Sequence, residues 1–153
     1  SLGAYAESTR SAMQSCINEK HLDKLVTIAN PLDINPGADD EVHAHMAELM
    51  LNDKGIDAVV IGLDPHSPVT HTLAETDVEA FRMDAPGGIL ERLSAVRERF
   101  RKPLVAVVDG GAQFEPFRNA LRERNIPVFP VCDRAIATLS LYMEARLMVK
   151  GFV

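Results

Sequence analysis

Two short runs, Ala58-Val59-Val60-Ile61-Gly62-Leu63 and Leu104-Val105-Ala106-Val107-Val108, constrain this chain more than anything else in it. Each is too short for a helix, rich in β-branched residues and apolar at both parities. A strand of that kind needs cover on both faces, which is the condition of strands in parallel sheets whose crossovers lay helices on either side. The remaining segments alternate accordingly. Leu25-Val26-Thr27-Ile28-Ala29 reads as a first buried strand and Val128 to Val131 as a last one. The sequence therefore predicts an α/β chain with a mainly parallel sheet of four or five strands, the two apolar runs central.

The helices are marked by spacing and by caps. Thr9 to Lys20 reads as a leading helix. Asp39 is placed as an N-cap with acids in the first turn, Val42, Met46, Leu49 and Met50 follow on one face, and Gly55 closes the segment. A short helix is expected from Pro68, with Ser67 as its cap. Thr76 to Pro86 has no period and reads as loop. Ile89, Leu90, Leu93, Val96 and Phe100 mark another helix, Phe114, Phe117 and Leu121 the next, and Ile136, Leu139, Met143 and Leu147 the last.

A chain of 153 residues fits a single domain spanning 1–153, with no repeat, low-complexity tract or linker. A net charge of −6 argues against nucleic acid, because backbone phosphates call for a basic face. The two cysteines, Cys16 and Cys132, make no ligand pair and read as reduced. No apolar run approaches the roughly 20 residues of a membrane span, and no signal peptide is present, so no membrane partner and a cytoplasmic location are expected. The chain begins Ser1-Leu2-Gly3 with no methionine, as a piece cut from a longer protein would.

Open parallel sheets bind ligands at the carboxyl ends of their strands. That rule selects the loops Asn30 to Gly37, Asp64 to Pro68, Asp109 to Ala112, and Cys132-Asp133. At Ser67-Pro68 the expected helix would turn its first free N–H groups, on Val69, Thr70 and His71, into the cleft, where they could hold an anion. The plainer reading is a structural cap that meets only water. Asn30 and Asp33 are read as turn residues before they are read as ligand contacts. Asp109-Gly110-Gly111 permits close backbone approach, but no GxGxxG or GxxxxGK[ST] occurs, so no nucleotide site is expected.

Other chemistries fail on spacing. His43 and His45 lie about 200° apart on a helix and cannot share a metal, and no metal-spaced cluster exists. Asp64-Pro65-His66-Ser67-Pro68 imitates the Asp-x-x-x-Pro of receiver domains, yet Asp39-Asp40 and Lys102 lie in the wrong places. Asp64-Pro65-His66 also opens a cobalamin signature, but Val69 stands where glycine is required. The charges from Glu91 to Lys102 read as a solvated helix face.

Taken in order, Asn30-Pro31-Leu32-Asp33-Ile34, the run Asp57 to Leu63, the turn Asp64 to Pro68, Lys102 to Val108 with Asp109-Gly110-Gly111, and Asn125 to Pro130 resemble a known family. It is the flavodoxin-like ligase domain of NDP-forming acyl-CoA synthetases, which is also the C-terminal domain of the succinyl-CoA synthetase β chain. The resemblance covers roughly Leu25 to Leu147. It implies a three-layer flavodoxin-like sandwich and a non-catalytic module of a larger ligase. The partners it implies are a CoA-binding domain, a domain carrying a catalytic histidine and an ATP-grasp domain. CoA, ADP or ATP, and Mg would be used by the parent and none bound here. By the same resemblance the helix start formed by His66, Ser67, Pro68, Val69 and Thr70 would face a phosphohistidine of the partner domain, and the loops at Asn30, Asp33, Asp109, Gly110 and Gly111 would meet that domain. Where the β chain has Gly-Gly, this sequence has Pro65-His66-Ser67, closer to the single-chain synthetases. The family's catalytic histidine sits in a glycine- and alanine-rich loop that surrounds neither His66 nor His71. The alternative is a stand-alone flavodoxin-like domain that binds a small anion or a protein.

Overall fold

The computed structural model describes residues 2–35 and 37–151. Five helices and three strands follow one another: α1 (Glu7–Glu19), α2 (Asp40–Asn52), β1 (Val59–Leu63), α3 (Ile89–Arg99), β2 (Leu104–Val108), α4 (Glu115–Glu123), β3 (Val128–Phe129) and α5 (Cys132–Gly151). The strands lie side by side in chain order and are all parallel, with Val59 opposite Leu104 and Ala106 opposite Val128. This is the α/β sandwich that the two apolar runs require.

The parity of each strand divides the core. Val59, Ile61, Leu63, Leu104, Ala106 and Val108 point to one face, where they pack in one cluster with Met46 and Leu51 of α2, Leu93 of α3, and Phe117 and Leu121 of α4. Val105 and Val107 point to the other face and meet Ala135 and Leu139 of α5. Each forward crossover from strand to parallel strand thus lays its helix on the first face, as right-handed connections require. Among the described residues only α5 covers the second. β2 is buried along its whole length.

Five expectations are corrected. The sheet has three paired strands among the described residues, not four or five, and β1 lies at its edge while β2 alone is central. Residues 26–29 bury Val26 and Ile28 but pair with no strand, because no ladder partner lies beside them. No helix begins at Ser67-Pro68: residues 65–70 form two successive turns. The segment read as loop, 76–86, holds a short 3-10 turn at Glu79–Phe81. The last helix is present, but of its expected inward stripe Ile136 and Leu147 are exposed and only Leu139 and Met143 are half-buried. Asp39 caps α2 as expected, its carboxylate accepting from Val42 N–H at 2.9 Å.

Candidate functional site

The carboxyl ends of β1 and β2 open onto a shallow concavity of about 530 Å³. Its walls are Gly62, Leu63, Asp64, Pro65 and His66 on one side and Val107, Asp109 and Gly110 on the other. The structure thus brings together two of the loops selected from the sequence. The loop after β1 is shaped by Asp64, whose carboxylate accepts the His66 N–H at 3.0 Å, a turn that short acidic side chains make readily. His66 Nδ1 lies 3.5 Å from the same carboxylate, both groups largely exposed. The imidazole sets its edge against Phe114, with ring centroids 4.9 Å apart and planes at 80°.

Gly110 holds the two loops in contact. Its φ is +153°, a region that L side chains rarely adopt, and a Cβ there would fall 2.7 Å from Phe114 Cδ2 and 3.2 Å from Pro65 Cγ. Arg118 fixes the same loop from behind. Its buried guanidinium donates to the carbonyls of Val108 (3.1 Å), Gly110 (2.6 Å) and Gly111 (3.4 Å), and to Glu115 at 2.8 Å. Glu115 also accepts from Arg122 at 2.7 Å, and these two partners, Arg122 first, hold its carboxyl below the usual range. Sequence reasoning passed over Arg118. Its signal was an arginine one helical turn inside a helix of apolar spacing, on the Phe117–Leu121 side, where a charge must find partners.

The stretch expected to hold an anion takes a different form. With no helix at Pro68, the amides of this stretch are consumed within the protein. His66 N–H goes to Asp64, Ser67 N–H to Asp64 O, Val69 N–H to Ser67 Oγ and Thr70 N–H to Ser67 O. Thr70 is buried and its hydroxyl donates within the turn, where Asp64 O and Ser67 O are both 3.1 Å away. His71 points elsewhere. Its backbone N–H and ring Nδ1 both meet the carboxylate of Asp40, which is buried and also accepts Ile89 N–H at 2.9 Å. Asp40 of α2 therefore supplies the cap that Gly88, at the start of α3, cannot. The sequence showed Asp40 only as a first-turn acid.

The remaining expected residues are scattered. Asn30 donates its side-chain amide to Gly3 O at 2.7 Å, and Gly3 lies against Gly55 and Ile56 on the approach to β1. Asn30 is therefore at the amino end of the sheet, away from the concavity, and its role is to tie a turn. Asp33 is exposed and lines a separate groove along β1. Gly111 is exposed beside Gly110. Pro36, inside the first selected loop, lies outside the described residues. Among the described residues no cluster of His, Cys, Asp or Glu has the arrangement of a metal site, and no helix is long and apolar enough to cross a membrane.

No protein-family model matches this chain, and no curated protein matches it. Solved structures do. The crystal structure of PH0766 from Pyrococcus horikoshii OT3 superposes with a TM-score of 0.63 at 20% identity, over 84% of this chain and 26% of that one. The apo form of a dinucleotide-forming acetyl-coenzyme A synthetase 1 from Ca. Korarchaeum cryptofilum superposes with a TM-score of 0.63 at 16% identity, over 97% of this chain and 34% of that one. This chain thus spans about a quarter to a third of the proteins it resembles, and at such identities the likeness is one of fold.

Proposed function

We propose that this chain is a non-catalytic ligase-type module of an NDP-forming acyl-CoA synthetase, acting in a larger protein. The observation that carries the reading is the superposition of nearly the whole chain on one third of an acetyl-coenzyme A synthetase. The ordered motifs from Asn30 to Pro130 support it independently. In this reading the concavity between the β1 and β2 loops faces the domain that carries the catalytic histidine. The phosphoryl group of that domain meets the exposed imidazole of His66 and the lip at Asp109 and Gly110, in place of a row of free helix amides. CoA, nucleotide and Mg belong to the other domains of the parent.

Two measurements test this reading. The isolated 153 residues should bind no ATP by calorimetry and form no thioester from acid, CoA and ATP. In the parent, His66→Ala should slow turnover at least tenfold while leaving the thermal midpoint of this domain unchanged. Thioester formation by the isolated chain, or normal turnover of the His66→Ala parent, refutes the reading.

A further inference from the structure

Helix α5 is about 30 Å long and rests on the sheet along one side. Ala135 is buried against Val105 and Val107, and Leu139 packs beside it. At about 100° per residue, Ala137, Leu141 and Met148 stand between about 160° and 200° around the helix from Leu139. Arg134 and Glu144 flank them at about 220° and 140°. All five are exposed, Leu141 at 69% and Met148 at 65%. The solvated back of a helix is normally polar, so a leucine and a methionine two turns apart along its centre line mark a surface that packs. Positions 134, 137, 141, 144 and 148 follow one another at alternating steps of three and four, the spacing of a seam between helices.

This seam is complementary to itself in one orientation. Turned antiparallel about a two-fold axis level with residue 139, α5 sets Leu141 against Ala137 of a second copy, large against small. The same axis sets Glu144 against Arg134 of the second copy, because both pairs have 139 as their midpoint, and symmetry makes each contact twice. Among the described residues Arg134 has no ion pair, and Glu144 accepts from Ser140 at 3.3 Å. Met148 then reaches the start of the facing helix near Val131, another exposed apolar side chain. A parallel pairing along the same seam would set Arg134 on Arg134 and Glu144 on Glu144, like charge against like.

We infer that the outward face of α5 is an interface with a second copy of this chain, formed as an antiparallel helix pair. A strip one helix wide and about 30 Å long is smaller than the roughly 800 Å² per partner of a permanent interface, so the pair forms and separates in the micromolar range. The strands of the two copies run in opposite directions. The concavities at the carboxyl ends of β1 and β2 therefore open at opposite ends of the dimer, and neither copy covers the other's. Pairing draws on no nucleotide, CoA or further domain, so it is independent of the ligase reading.

Sedimentation equilibrium of the 153 residues between about 5 and 500 µM tests the pairing. A monomer–dimer equilibrium should appear with a Kd on the order of 10–100 µM. Leu141→Asp should raise that Kd at least about tenfold, and so should Glu144→Arg and Arg134→Glu, each of which brings like charges together. The double variant Arg134→Glu/Glu144→Arg rebuilds the pair with its signs exchanged and should return Kd to within about threefold of the unsubstituted chain. All three side chains are exposed, so the thermal midpoint of the monomer should hold in every variant. A chain that stays monomeric at about 500 µM overturns the inference and leaves the face to a different polypeptide. A dimer that Leu141→Asp leaves intact overturns it too, as does a charge exchange that fails to restore pairing.

Discussion

Arg118 concentrates more bonding on one side chain than any other residue around the concavity. Three of its acceptors are backbone carbonyls of residues 108–111, and its guanidinium is buried, so truncation strands them as well as removing the charge pair with Glu115. Arg118→Met should cost about 2–4 kcal/mol by urea denaturation, and the amides of residues 109–111 should lose exchange protection before the rest of the domain. Asp40 and Asp39 make a second contrast between neighbours of the same type. Asp39 caps its own helix from a half-exposed position, whereas Asp40 is buried and serves His71 and α3. Asp40→Ala should cost about 2–3 kcal/mol, because the buried Ile89 N–H, the half-buried His71 N–H and a ring nitrogen lose their partner. Asp39→Ala should cost about 1 kcal/mol, the usual loss of a cap. Equal losses would contradict the assignment of Asp40 as a link between elements.

At the scale of elements, Asp53 joins the end of α2 to the start of α1. Its carboxylate accepts Ala6 N–H and Gly55 N–H, each at 2.8 Å, and its carbonyl accepts from Lys102. The N–H of Ala6, then that of Gly55, then the hydroxyl of Thr9 hold its carboxyl below the ordinary aspartate range. A depressed pKa stabilises the folded state above the unfolded value, near 3.9, and that contribution is lost as pH falls through the folded value. The urea midpoint should therefore drop between pH 5 and pH 3, and Asp53→Asn should make the drop shallower. An unchanged slope in the variant would show that Asp53 titrates alike in both states. The elements themselves were largely legible in the sequence. β2 and the Asp39 cap follow from pattern, since Leu104 to Val108 is buried at every position. The helix at Pro68 was not legible as absent. Ser-Pro is an ordinary helix start, but Asp64 captures the amides of His66 and Ser67, Ser67 takes those of Val69 and Thr70, and the buried Thr70 and Thr72 bond back to Asp64 and Pro65. Local turn chemistry won over the capping signal there. Residues 26–29 have strand composition, yet a strand needs a neighbour, which composition does not reveal.

Over the whole molecule, three parallel strands share a direction and each pair is joined by a crossover. The β2–β3 register pairs Ala106 with Val128, whereas β1–β2 pairs Val59 with Leu104 across about twice that length of chain. Doubling a loop adds only about 0.6 kcal/mol of closure entropy, but that difference falls directly on the order of events in folding. The shorter crossover also carries Phe117, Leu121 and Ile126, all fully buried, so one short stretch of sequence supplies three members of the large core cluster. Folding is thus expected to begin at β2, α4 and β3, with β1 added afterwards through α3. Leu121→Ala and Ile126→Val should slow refolding nearly in proportion to the stability they remove, while Ile61→Val should act mainly by speeding unfolding. The reverse ranking in stopped-flow refolding would put β1 in the nucleus. A chain that is assembled from its C-terminal half inward keeps its edge strand as the last part to find its place.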